Sequence, residues 1–139
     1  MERDFKTALE FFSSLEVPRR RGLKLALDGN LGAGKTHFVR ALLDCWEPGL
    51  SAQAASPSFG LCHNYVGSAL VFDHFDLYRL EDRAELEETG LFESLSDPNR
   101  VTLVEWAELF PEVYRFCNLR LWITEEGKRR HYQIQQIEV

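Results

Sequence analysis

The strongest chemical signal is one unbroken run, Gly29, Asn30, Leu31, Gly32, Ala33, Gly34, Lys35 and Thr36. It fits G-x-x-x-x-G-K-[ST], the pattern of a phosphate-binding loop. Glycines let the main chain adopt positive φ and turn its N–H groups inward around an anion. A helix opening near Lys35 adds the positive end of its dipole. The Lys35 ammonium can then reach the β- and γ-phosphates of a nucleotide, and the Thr36 hydroxyl can ligate Mg²⁺. The loop therefore predicts ATP and magnesium as ligands.

Such a site also needs an acid near the metal, usually at the end of a strand beside the loop. Two segments offer one. Val101-Thr102-Leu103-Val104 ends in Glu105, followed by Trp106, and the run Val71-Phe72-Asp73-His74-Phe75-Asp76 carries two aspartates. An acid just past an apolar strand is also a common turn residue or helix cap. From spacing alone, Glu105, Asp73, His74 and Asp76 are all candidates.

These residues must be positioned by regular elements. Phe5, Ala8, Leu9, Phe11, Phe12 and Leu15 recur at helical spacing, predicting an amphipathic helix over 4–15, ended by Pro18 and the run Arg19-Arg20-Arg21. Leu23 to Leu27 reads as a strand that runs into the glycine loop. Phe38, Val39, Ala41, Leu42, Cys45 and Trp46 predict a helix over 35–46 with a wide apolar stripe, stopped before Pro48-Gly49. Residues 50–57 read as a loop. Strands over 59–66 and 70–75 flank Val66-Gly67-Ser68 and predict a hairpin. Residues 81–88 read as a helix closing at Gly90. Val101 to Val104 is a short buried strand, and strands over 119–124 and 131–137 flank Glu125-Glu126-Gly127-Lys128 as a second hairpin. The expected fold is α/β: one P-loop NTPase domain over 1–139, with a mixed parallel and antiparallel sheet flanked by helices.

Composition sets bounds on function. The chain has 139 residues, is 45% hydrophobic and contains ten Phe, enough for one core. A formal charge of −6 argues against bulk electrostatic capture of nucleic acid. The basic runs 19–21 and Lys128-Arg129-Arg130 read as solvated loops. The three cysteines, Cys45, Cys62 and Cys117, form no Cys-x-x-Cys pair, and each reads as a small buried residue in a reducing compartment. No stretch approaches a signal sequence or a membrane helix, so a cytoplasmic protein with no membrane partner is expected.

Taken together, Gly-Asn-Leu-Gly-Ala-Gly-Lys-Thr, Ser56-Pro57-Ser58-Phe59, His74-Phe75-Asp76-Leu77-Tyr78-Arg79 and Val104-Glu105-Trp106 resemble the TsaE family over roughly residues 5 to 130. TsaE proteins are the small ATPases of the bacterial machinery that makes threonylcarbamoyladenosine in tRNA. The resemblance implies that Glu105 ligates magnesium or orients the attacking water. It implies that Asp76 is the Walker B-like acid, touching the metal directly or through water. Ser56 to Phe59 would be a switch-like segment near the γ-phosphate, Trp106 part of the signature beside the site, and Thr7 a nucleotide contact. It departs at three positions: Asn30 stands for the usual Asp, Ser58 for the usual Thr, and His37 for a common Thr. His37 reads as structural or exposed rather than catalytic.

The expected function is an Mg-dependent ATPase acting as a switch, with Lys35, Asp76 and Glu105 as its catalytic residues. Hydrolysis would be slow alone, because no arginine finger is marked out; Arg79, Arg129 and Arg130 stay open. The resemblance implies as partners the threonylcarbamoyl transferase and its dimerising companion, with tRNA contacted indirectly if at all. ATP turnover would reset that complex between rounds. Two rivals share the loop: a small-molecule kinase, which would need an acceptor pocket and usually a basic lid, and a nucleotide-dependent binding subunit with negligible hydrolysis. A GTPase is disfavoured by the absence of Asn-Lys-x-Asp and Asp-x-x-Gly.

Overall fold

Four strands at the centre of the sheet are parallel neighbours, and most of their residues are apolar. We describe the fold from a computed structural model covering residues 2–15, 21–30, 32–53 and 62–137. Leu31, Arg19, Arg20, the segment Ser56 to Phe59 and the start of the strand predicted from Phe59 lie outside the described residues. Strands β2 (Lys24–Asp28), β4 (Val71–Asp76) and β5 (Arg100–Glu105) are buried along almost their whole length. That pattern suits strands covered on both faces. β2 lies between β5 and β6 (Leu119–Glu126), parallel to both, and β4 runs parallel to β5.

Antiparallel strands finish both sides. β3 (Cys62–Val66) pairs with β4, and β7 (Arg129–Gln136) pairs with β6. These are the two predicted hairpins. A two-residue strand β1 (Glu2–Arg3), invisible to periodicity, adds to the outer edge of β7. The seven-stranded order is β1-β7-β6-β2-β5-β4-β3.

Helices cover both faces. Helices α1 (Phe5–Ser13) and α2 (Lys35–Trp46) pack on one, where Phe12, Phe38, Leu42 and Leu43 join Leu25, Leu27 and Leu103 in a core. α1 begins with a capping box: Asp4 accepts from the Thr7 main chain, and the Thr7 side chain answers the Asp4 backbone. Trp46, at the end of α2, stacks on Phe72 at 5.5 Å between ring centroids. On the other face, α3 (Arg83–Glu88), α4 (Leu91–Ser96) and two 3₁₀ segments (Ala107–Leu109, Pro111–Phe116) bury Leu86, Leu91 and Val113 against Ala26, Phe75 and Val104.

The structure corrects three expectations. Gly90, with φ 86°, ends the predicted helix but also opens α4 directly. Residues 50–53 form a 3₁₀ turn with Leu50 buried, not a plain loop. Cys45 is exposed, because its position on α2 falls outside the stripe formed by Phe38, Val39, Leu42 and Leu43. Cys62 is half-buried and Cys117 buried, and desolvation pushes both thiols up to about 12.

Lys24, at the opposite end of β2 from the glycine loop, is also buried. Its ammonium donates to the carbonyls of Ser94, Asp97 and Arg100 at 2.8, 2.7 and 2.6 Å, and to the Thr102 hydroxyl at 3.2 Å. This cage ties the turn between α4 and β5 to the sheet centre.

Candidate nucleotide site

The parallel strands end together, and that edge gathers the acids. β2 ends at Asp28, β5 at Glu105 and β4 at Asp76, with Asp76 and Glu105 in register. The glycine loop leaves β2 at the same edge and enters α2. Open α/β sheets bind ligands at this carboxyl edge.

The loop needs glycine for specific reasons. A Cβ on Gly29 would stand 2.7 Å from the Ile123 carbonyl oxygen, so the backbone of β6 leaves no room for a side chain. Gly34 has φ 101° and is the N-cap of α2, with no side chain capping the first turn. The amides of that turn are left for an anion rather than spent on a Ser or Asp cap. A Cβ on Gly34 would also lie 2.6 Å from Arg130 Nη1. Arg130, from β7, reaches back over the loop, with Nη2 at 3.4 Å from the Gly32 carbonyl and Nε at 3.3 Å from Glu125. The basic run 128–130 is therefore more than a solvated turn.

Lys35 is 4% exposed. Its Nζ donates to the Gly29 carbonyl at 2.6 Å and lies 3.4 Å from the centroid of the Trp106 ring. Burial holds its pKa below the usual lysine value, against the opposing fields of Glu105, Glu108, Asp76 and Asp28. Trp106 has φ 64°, the only positive φ outside glycine among the described residues, and its ring also packs on Tyr78 at 4.8 Å. A bulky residue in that conformation needs support from its surroundings.

Thr36 and Glu105 meet directly. The Thr36 hydroxyl lies 3.1 and 2.9 Å from the two carboxylate oxygens of Glu105, a residue 3% exposed. His74 Nε2 stands 2.5 Å from Glu105 Oε2. Two hard oxygen donors thus converge at the start of α2. Mg²⁺ takes oxygen ligands and commonly uses only one or two from the protein, with phosphate and water completing the set. The donor set fits magnesium. Among the described residues no group of three or more His, Cys, Asp or Glu could hold a metal by itself.

Asp76 is partly exposed, and its Oδ1 accepts from the Tyr78 amide at 3.0 Å. Asp73 does not join this group. It binds Asn64, Ser94 and Arg100 in a separate polar cluster. His37 is exposed and stacks on Phe5 at 5.4 Å, and the Thr7 hydroxyl is engaged by Asp4 at 2.9 Å. Sequence reading missed Asp28, whose buried carboxylate accepts from Tyr114 Oη at 2.7 Å and pairs with Arg120. Burial and the Asp28 bond raise the Tyr114 pKa. This triad braces the last residue of β2 beside the loop.

The chain matches a family described as "Threonylcarbamoyl adenosine biosynthesis protein TsaE" over residues 3–133. The chain belongs to the TsaE family. Relatives named "tRNA threonylcarbamoyladenosine biosynthesis protein TsaE" include one from Rickettsia felis, 35% identical over 74% of this chain and 60% of the relative. Another, from Rickettsia bellii, is 40% identical over 74% of this chain and 71% of the relative. The chain thus spans about three-fifths of the R. felis protein. The crystal structure of Bacillus subtilis YdiB shares the fold, with a TM-score of 0.62 at 24% identity, covering 96% of this chain and 81% of that one. The TsaE membership agrees with the motif set from the loop through Glu105 and Trp106. Among the described residues no helix is long and apolar enough to cross a membrane.

Proposed function

We propose that this TsaE-family chain is one P-loop ATPase domain, acting in the cytoplasm, whose nucleotide cycle serves threonylcarbamoyladenosine modification of tRNA. The observation that carries this reading is the contact of the Thr36 hydroxyl with the buried Glu105 carboxylate, at the uncapped start of α2. A buried carboxylate whose contacts are a hydroxyl and a histidine ring is costly to desolvate, and such groups cluster at functional sites.

In this reading the loop amides and Lys35 bind the β- and γ-phosphates. Lys35 leaves the Gly29 carbonyl and the Trp106 ring, and its ammonium neutralises charge that develops on the transferred group. Thr36 and Glu105 would hold magnesium. When bound, the ion would supply further neutralisation of the phosphate charge. Asp76, beside Glu105 in register, would help hold the metal or orient the attacking water. Hydrolysis joins that water to the γ-phosphorus as the bond to the β-phosphate oxygen breaks. Arg130 is the arginine whose reach over Gly32 and Gly34 best suits a contribution from within the chain. Partner proteins, the threonylcarbamoyl transferase and its dimerising companion, would complete the site, with tRNA contacted indirectly if at all.

The test is turnover measured as free phosphate, alone and with both partners. Slow hydrolysis alone and at least tenfold stimulation by the partners is expected; equal turnover counts against the switch role. Glu105→Gln and Asp76→Asn should lower turnover more than nucleotide affinity. Normal hydrolysis by both variants would remove these acids from the mechanism.

A further inference from the structure

His74 makes a strong contact with Glu105 at this edge and has no role in the reading above. It lies on β4, 5% exposed, two residues before Asp76. Its register partner on β5 is Leu103, so it reaches forward along the sheet to Glu105. An ionised carboxylate can only accept hydrogen bonds, so Nε2 is the donor across that 2.5 Å contact.

We propose that His74 is a positioning residue that fixes which oxygen of Glu105 faces the loop. This rests on the reading of Glu105 as a group that faces the metal. Thr36 lies within hydrogen-bond reach of both carboxylate oxygens, so by itself it leaves the carboxylate free to turn about its terminal torsion. His74 engages Oε2 alone. With Oε2 shared between His74 at 2.5 Å and Thr36 at 2.9 Å, Oε1 is the oxygen that His74 leaves unengaged, 3.1 Å from the Thr36 hydroxyl. A metal arriving with the nucleotide then meets one pre-set oxygen. A hydrogen bond between two buried side chains on neighbouring strands is well suited to this, because the sheet fixes both backbones.

Removing such a partner typically weakens metal affinity roughly 10–100-fold. The experiment reads Mn²⁺ binding to the ADP-loaded chain by electron paramagnetic resonance, and ADP binding in excess chelator by calorimetry. Three variants separate reach from polarity. His74→Gln puts an amide N–H close to the place of Nε2, His74→Asn is polar but too short, and His74→Phe keeps bulk without a donor. His74→Asn and His74→Phe should bind Mn²⁺ roughly 10–100-fold more weakly, with His74→Gln within about threefold of the native chain. ADP binding without metal should not change.

Native Mn²⁺ affinity in His74→Asn, or equal weakening in His74→Asn and His74→Gln, would overturn the proposal. Should His74→Phe fail to fold, the Asn and Gln pair carries the test alone. Glu105→Gln distinguishes two kinds of failure. If it loses Mn²⁺ affinity while His74→Asn keeps it, only the role of His74 falls. If Glu105→Gln also binds Mn²⁺ as the native chain does, the metal-facing reading of Glu105 falls with it.

Discussion

Replacing Trp106 with leucine should tighten nucleotide binding, although the residue belongs to the signature beside the site. The reasoning starts from where the Lys35 ammonium rests without nucleotide. It is buried, donates to the Gly29 carbonyl and lies 3.4 Å from the Trp106 ring centroid. A cation over an aromatic face is stabilised by about 0.5–1 kcal/mol at exposed sites and about 2 when desolvated. To reach phosphate, the ammonium must give up that contact. Trp106→Leu removes the ring and destabilises only the resting position. The affinity for Mg-ATP should rise by the corresponding factor, roughly 2–30-fold. Leucine keeps an L side chain at φ 64°, so the backbone is no less strained than before. Loss of the Tyr78 contact should lower the melting temperature. Calorimetric titration of the folded variant is the assay. Unchanged or weaker affinity would refute the idea that ring and phosphate compete for one ammonium.

Further outcomes follow from geometry elsewhere. Gly34→Ala places an L residue at φ 101° and a methyl against Arg130 Nη1, while Gly32→Ala, at φ 83°, meets nothing within 4 Å. Both should lose about 1–2 kcal/mol from the backbone. Only the Gly34 variant should be partly rescued by Arg130→Ala in thermal melts, and equal behaviour would contradict the placement of Arg130. For Lys24, burial lowers the pKa to about 8 in the folded chain, against 10.5 unfolded. Between those values the unfolded chain holds the extra proton, so stability rises with pH and is flat below the window. Relative to Lys24→Met, the native chain should gain about 2–3 kcal/mol from pH 8 to 10. Urea unfolding of the pair checks this, and a constant difference would contradict the buried ammonium.

What the sequence made legible was local. Lys35, Thr36 and the glycines are adjacent in the chain, and the helix from Lys35 to Trp46 carries its own stripe, so both are readable from spacing. The runs in β2 and β5 are apolar because helices cover both faces, which marks them as buried strands. The carboxyl edge was legible only as a set of candidates. Asp73 and Asp76 lie on one short strand with equal claims, and the fold separates them by handing Asp73 to Ser94 and Arg100. The bond of His74 to Glu105 spans 31 positions, that of Tyr114 to Asp28 86, and the reach of Arg130 to Gly32 98. Periodicity carries no information at such distances. β1 was missed because two residues are too few to show a period, and α4 because Gly90, which reads as a helix stop, also opens it.

The central claim is that the loop from Gly29 to Thr36 encloses the polyphosphate of a nucleotide. Calorimetry of Mg-ATP against the folded chain and Lys35→Ala, with melting curves for both, tests it directly. Saturable binding by the native chain, lost or strongly weakened in a variant that stays folded, is the predicted result. No heat of association for any triphosphate in the native chain, with or without partner proteins, or equal affinity in Lys35→Ala, would contradict it.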